Sequence, residues 1–255
     1  MTSAAKPMRQ LPRSRVIWLT AQLLLGVGIA RPTTSVVVGI VVILVALALA
    51  ERVVRIQVIT FALLVTTVAA SPILWPVPAL VAGAFLLLRS GRAVDVRAPA
   101  TRIRALRPTW LLGITAGVAA AVAVLPLVLL EVHSAPLAFP VAQPSLAVMC
   151  CLVVVAAVLN ALAEESLWRG SIIATDKDLG LEGRTTVAVQ ACGFGIAHWH
   201  GIPGGVIGVI AAAAFGAVMA WLRLRTRIGP AVVAHVIADV AIFSVAAATA
   251  VFVPV

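Results

Sequence analysis

The stretch ALAEESLWRG, residues 161–170, sets two adjacent carboxylates and an arginine at the end of a run that is otherwise almost wholly apolar. Hydrophobic residues make up 62% and charged residues 11% of the 255-residue chain. Mean hydropathy is +1.14, outside the range of soluble globular domains. The composition therefore predicts an all-α, polytopic transmembrane helix bundle, and the length holds roughly eight or nine spans of about 20 residues. Apolar runs near residues 16–30, 35–50, 53–70, 73–88, 109–132, 146–175, 185–199, 204–222 and 230–253 supply them. Within such a bundle a charged side chain costs about 2.5–3.5 kcal/mol on insertion scales, so the charges of residues 164–169 need partners or a task.

A net charge of +10 raises the question of nucleic acid, but the basic residues fall in the gaps between apolar runs. If the N-terminus is cytoplasmic, the inward segments hold every Lys and Arg except Arg31, as the positive-inside rule requires. Basicity thus reports orientation and contact with the lipid bilayer; without an aromatic-rich basic domain, no nucleic-acid partner is expected. Lys6 to Arg15 followed by the run from Val16 to Ala30 has the form of a signal sequence. With so many spans following, a retained first helix is expected.

The arginine-rich segment Arg89 to Arg107 reads as a cytoplasmic loop or interfacial helix. It divides an N-terminal membrane half, residues 1–108, from a C-terminal half, residues 109–255. Cys150, Cys151 and Cys192 show neither an even count nor metal-ligand spacing, which leaves them packing roles. Abundant Arg, Ala and Val with little Lys point to a GC-rich bacterial genome and so to a bacterial cell membrane.

Few ionisable groups remain at membrane depth. Asp176, Asp178, Glu182, Glu51 and Asp95 fall in expected loops, Glu131 near an outer interface and His133 in a loop. That leaves Glu164, Glu165 and Asp239, with His198, His200 and His235 in or beside spans. Residues four apart share a helix face. Asn160, Glu164 and Trp168 form one stripe, with Asn160 placed to line a cavity or bond another helix. Glu165 and Arg169 form a pair that can brace the helix as an ion pair. Glu164 has no such local partner and needs one from another helix or from water.

At a rise of 1.5 Å per residue, Glu164 stands about 18 Å along its helix from Asp176, and His198 about 21 Å along the returning helix from Arg184. From Gly229, His235 and Asp239 stand about 9 and 15 Å along the last span. All four groups are thus expected to meet in one cavity. His200 in AHWHG is expected at a helix end near the interface, beside Trp199. Gly193, Gly195, Gly204, Gly205 and Gly208 are read as close-packing positions.

These residues carry a family resemblance. Glu164-Glu165 followed by Arg169 and Gly170, Phe194 followed by His198, and His235 followed by Asp239 resemble, in order, the motifs of the CPBP family of intramembrane proteases. That group includes type II CAAX prenyl endopeptidases and bacteriocin-processing or immunity proteins. The resemblance covers roughly residues 146–250. It implies a glutamate-dependent intramembrane endopeptidase acting on a membrane protein or peptide substrate. Glu164 would activate water with His198, and His235 and Asp239 would stabilise the oxyanion, with Glu165, Arg169 and Asn160 in support.

No cofactor is required on that reading. The alternative is zinc held by Glu164, His198, His235 and Asp239, since three protein ligands and an open position suffice and no HExxH motif decides the matter. Two further alternatives stand beside these. Buried Glu, His and Asp also line proton or cation paths in transporters, and a non-catalytic relative would bind a membrane peptide as a scaffold or immunity factor.

Overall fold

The computed structural model describes residues 11–30, 33–70, 75–89, 103–134, 145–181 and 183–251. The described residues are predominantly helical, with short turns and loops between the helices and no strand among them. In chain order the helices are α1 (Leu11–Ile29), α2 (Thr34–Ala50), α3 (Arg55–Ala70), α4 (Pro76–Arg89), α5 (Ile103–Ser134) and α6 (Leu146–Glu164). A π-helical segment (Glu165–Ile172) runs into α7 (Ile173–Asp178), followed by α8 (Gly183–Ala197), α9 (Gly205–Arg225) and α10 (Ile228–Val251).

Within the described residues every apolar run expected to span is largely helical, but the candidate spans among them are fewer than eight or nine. Four helical stretches among the described residues are long and apolar enough to cross a membrane: Thr109–Glu131, Leu146–Asp178, Gly205–Arg225 and Ile228–Thr249. Thr34–Ala50, Arg55–Ala70 and Pro76–Arg89 are apolar but shorter, and at 1.5 Å per residue each falls short of a hydrocarbon core about 30 Å thick. The expected basic loop falls largely on residues 90–102, and Lys6, Arg9, Arg31 and Glu182 likewise lie outside the described residues.

Burial has a helical logic. In α2 the inward residues Val37, Ile40, Leu44 and Ala48 recur every three or four positions, while Val38, Val42 and Leu49 remain exposed on the apolar outer face. Trp18, Leu25, Phe61, Val65, Leu167, Trp168 and Phe194 share one core, which joins α1 to α4 to the π-helical segment and α8. A smaller core of Met219, Leu222, Ala231 and Ala234 joins α9 to α10.

Glycine lets three pairs of elements approach closely. A Cβ on Gly26 would collide with the carbonyl of Gly193, bringing α1 onto α8; one on Gly83 would strike Ser166, seating α4 on the π-helical segment; one on Gly117 would strike Ala234, joining α5 to α10. Gly193 and Gly195 serve the close packing expected of them, whereas Gly208 makes room for the Pro203 carbonyl of the loop before its own helix and a Cβ on Gly205 would meet nothing; the φ of +61° at Gly205 serves the turn into α9 instead.

Other expectations change. Asp176 is fully buried rather than in a loop. Its Oδ1 accepts from Trp18 Nε1 at 2.6 Å and from Gln22 Nε2 at 2.9 Å, tying α7 to α1. The helix runs through Asp178 because the turn to α8 is tight, closed by Gly180 at φ +64°. His133 stands in the last turn of α5 rather than in a loop. Cys150, Cys151 and Cys192 are exposed on their helices instead of packed inside.

Candidate active site

The π-helical segment is enclosed by protein, with Glu165, Leu167, Trp168, Arg169 and Gly170 all buried. Single π turns within α-helices recur at functional sites, where they re-aim side chains. Here the two adjacent glutamates both face α10. Glu165 Oε1 lies 2.8 Å from Nδ1 of His235, and Glu164 Oε2 lies 3.6 Å from Nε2 of the same ring. Neighbouring carboxylates thus address opposite edges of one imidazole.

Glu165 Oε1 also meets Arg169 Nη1 at 3.0 Å, with both side chains fully buried. The expected brace is present, and it reaches beyond its own helix. The Arg169 guanidinium lies 4.1 Å from the centre of the Phe194 ring, a favourable position for a buried cation. Phe194 in turn contacts His198, with ring centres 4.4 Å apart, and stands edge-on to Trp168.

His198 follows the end of α8, where the chain leaves helical geometry. Its Nδ1 is 2.8 Å from the carbonyl oxygen of Phe194; a carbonyl only accepts, so Nδ1 carries the proton and donates. Its Nε2 is then turned toward Glu164 Oε2, at 3.7 Å. By the same reasoning His235 donates from Nδ1 to the Glu165 carboxylate, and its Nε2 also faces Asp239 Oδ1 at 3.6 Å. Asp239 Oδ2 accepts from Asn160 Nδ2 at 3.1 Å. Glu164, His198, His235 and Asp239 are brought together, as the depth estimates require, with Asn160 both lining the cavity and bonding a second helix.

These groups stand on the wall of a cavity of about 720 Å³. Its other walls are mostly apolar: small side chains of α5 and α9 such as Ala119, Ala123 and Ala211, with Phe215, Ile242 and Phe243. His200 is exposed and borders the cavity at the loop 198–204. Glu164 Oε2 is buried and without a hydrogen-bond partner. Such a carboxylate oxygen, beside imidazole nitrogens just beyond bonding distance, is where a polar ligand is expected. Among the described residues no group of three His, Cys, Asp or Glu side chains is set as a ready-made metal site.

Three neighbours escaped sequence reasoning. Phe215 stands edge-on to His235, with ring centres 5.2 Å apart. Trp75 donates from Nε1 to Asn160 Oδ1 at 3.2 Å. Glu131 Oε2 accepts from the backbone N–H of Gly204 at 2.8 Å, at the residue preceding α9 and closing the loop that carries His198. A carboxylate at a helix N-terminus is favoured by the helix dipole.

The fold and site are those of an integral membrane helical bundle with a polar centre enclosed by its C-terminal helices. Residues 146–241 match the family model described as Type II CAAX prenyl endopeptidase Rce1-like. The resemblance to the CPBP family is thereby borne out, over a stretch that contains every residue of the three motifs. No curated protein and no solved structure matches the chain.

Proposed function

We propose that the protein is an intramembrane endopeptidase that hydrolyses a peptide bond of a membrane-associated protein or peptide, with Glu164 as general base. The family match supports the class of activity. The observation that carries the mechanism is the unbonded Glu164 Oε2, facing His198 Nε2 at 3.7 Å and His235 Nε2 at 3.6 Å on the cavity wall.

Two acceptors 3.7 Å apart form the base of a triangle whose apex lies at hydrogen-bond length, about 2.8 Å, from both. A water at that apex gives one hydrogen to Glu164 Oε2 and the other to His198 Nε2, whose Nδ1–H is committed to Phe194. Both water hydrogens are then held and a lone pair is left for the scissile carbonyl carbon. As the C–O bond forms, Glu164 takes the proton, and the carbonyl π electrons move to oxygen. With Nδ1 donating to Glu165, which fixes the ring from its far side, a proton on Nε2 lets His235 donate to that oxyanion, with the Asp239 carboxylate beside Nε2 favouring that proton; such donors gain strength in a water-poor site. Collapse of the intermediate breaks the C–N bond, and Glu164 passes its proton to the leaving amine.

The test is cleavage of a membrane peptide by wild type and Glu164→Gln in the same bilayer. The substitution is expected to lower kcat by about 10²–10⁴-fold, the span of positioned acid–base catalysis. Unchanged cleavage defeats the reading. Activity that disappears with a chelator and returns with zinc defeats the metal-free route and leaves the peptidase standing.

A further inference from the structure

The polar centre is also reached from the N-terminal helices, outside the segment matched by the family. Trp75 stands immediately before α4 and lines the cavity. Its indole N–H donates to Asn160 Oδ1 at 3.2 Å, and Asn160 Nδ2 donates to Asp239 Oδ2 at 3.1 Å.

The chemistry of the three groups makes these bonds interdependent. An indole nitrogen only donates, an ionised carboxylate only accepts, and a carboxamide has one end of each kind. With its oxygen on Trp75, Asn160 must present its NH2 to Asp239. Turned over, the amide would set N–H against N–H at one end and oxygen against oxygen at the other. The indole therefore decides which way the amide faces, and the amide decides which oxygen of Asp239 is tied. The tied oxygen is Oδ2, which leaves Oδ1 facing His235 Nε2 at 3.6 Å.

We infer that Trp75 is a positioning residue: its indole N–H sets the sense of the Asn160 amide and so holds Asp239 with Oδ1 turned to His235. Its effect on rate rests on the peptidase reading above; the relay of bonds does not. An aromatic ring serving only as cavity wall would be replaced equally well by phenylalanine.

Trp75→Phe keeps a ring and removes the donor. Loss of one neutral hydrogen bond is expected to lower kcat for a membrane peptide about 3- to 10-fold, with KM unchanged. In an Asn160→Leu background, where the relay is already broken, Trp75→Phe is expected to add nothing. Equal effects in the two backgrounds overturn the proposal, as does a Trp75→Phe enzyme indistinguishable from wild type.

A readout independent of cleavage is the indole N–H resonance in ¹⁵N-labelled protein in detergent micelles. The resonance missing from the Trp75→Phe spectrum is expected to move upfield in Asn160→Leu; one that stays in place overturns the proposal whatever the activity. Full cleavage by Glu164→Gln would fell the peptidase reading alone, since the resonance decides the relay by itself.

Discussion

Glu165 Oε1 stands 2.8 Å from Nδ1 of His235, and it is the same oxygen that Arg169 approaches at 3.0 Å. One carboxylate oxygen thus neutralises a buried guanidinium and fixes the tautomer of an imidazole on another helix. The i, i+4 spacing announced the first role and was silent on the second.

Removing that charge leaves buried Arg169 without the carboxylate it touches, with Glu164 the more distant acid. Glu165→Gln is expected to cost about 3–5 kcal/mol of stability, the range for breaking a buried ion pair, seen as a lower Tm in detergent. The double variant Glu165→Gln with Arg169→Met should recover part of the loss, because the uncompensated charge is gone. Simple additivity of the two changes would contradict the pairing.

Phe194 and His198 are neighbours with opposite expected behaviour. Phe194 is 1% exposed, and Phe194→Ala is expected to cost about 3–5 kcal/mol as a core aromatic deletion. His198 is 28% exposed at the cavity, so His198→Ala should leave Tm nearly unchanged while lowering kcat at least about 100-fold. A folded His198→Ala protein with normal turnover would remove this residue from the mechanism.

Glu131 reaches from α5 to the N-terminus of α9 and closes the loop bearing His198. Glu131→Ala is expected to speed amide hydrogen exchange at Gly204 and its neighbours and to reduce cleavage about threefold, as the loss of one charge-assisted bond suggests. Glu131→Gln, which keeps an acceptor, should exchange more slowly than Glu131→Ala. Exchange at Gly204 that ignores both variants would show that the contact does not hold the loop.

Asp176 offers a control distant in role from the chemistry. Asp176→Leu strips the buried donors of Trp18 and Gln22 of their acceptor, at about 1–3 kcal/mol for each group left unpaired. The loss should appear in Tm, with cleavage per folded molecule unchanged. A fall in kcat at full stability would mean that this cluster communicates with the cavity.

How far the sequence could be read follows from the range of each interaction. Composition and apolar runs located the helices, because span hydropathy is a property of short contiguous stretches. Glu164, His198, His235 and Asp239 met because rise per residue is nearly constant, so depth can be counted. Trp75 could not be found this way: it pairs with Asn160 across 85 positions, and an apolar wall residue reads the same as a donor. Asp176 looked like a loop acid because its partners are an indole and an amide on α1, neither of which carries a charge. Fewer candidate spans than expected stand among the described residues because hydropathy does not report where a helix ends; as described, α3 and α4 are shorter than a full crossing.

The slow winding of residues 165–172 has a consequence for everything beyond it. A π turn advances through a smaller angle per residue than an α turn, so the residues of α7 arrive out of step with the azimuth that α6 would dictate. Asp176 points at α1 because of that lag. Excision of one residue from this segment would reset the phase, swinging the glutamates and Asp176 by different amounts. The glutamates of the candidate site and the peg that seats the first helix are therefore keyed to a single shaft, and neither can be re-timed without the other.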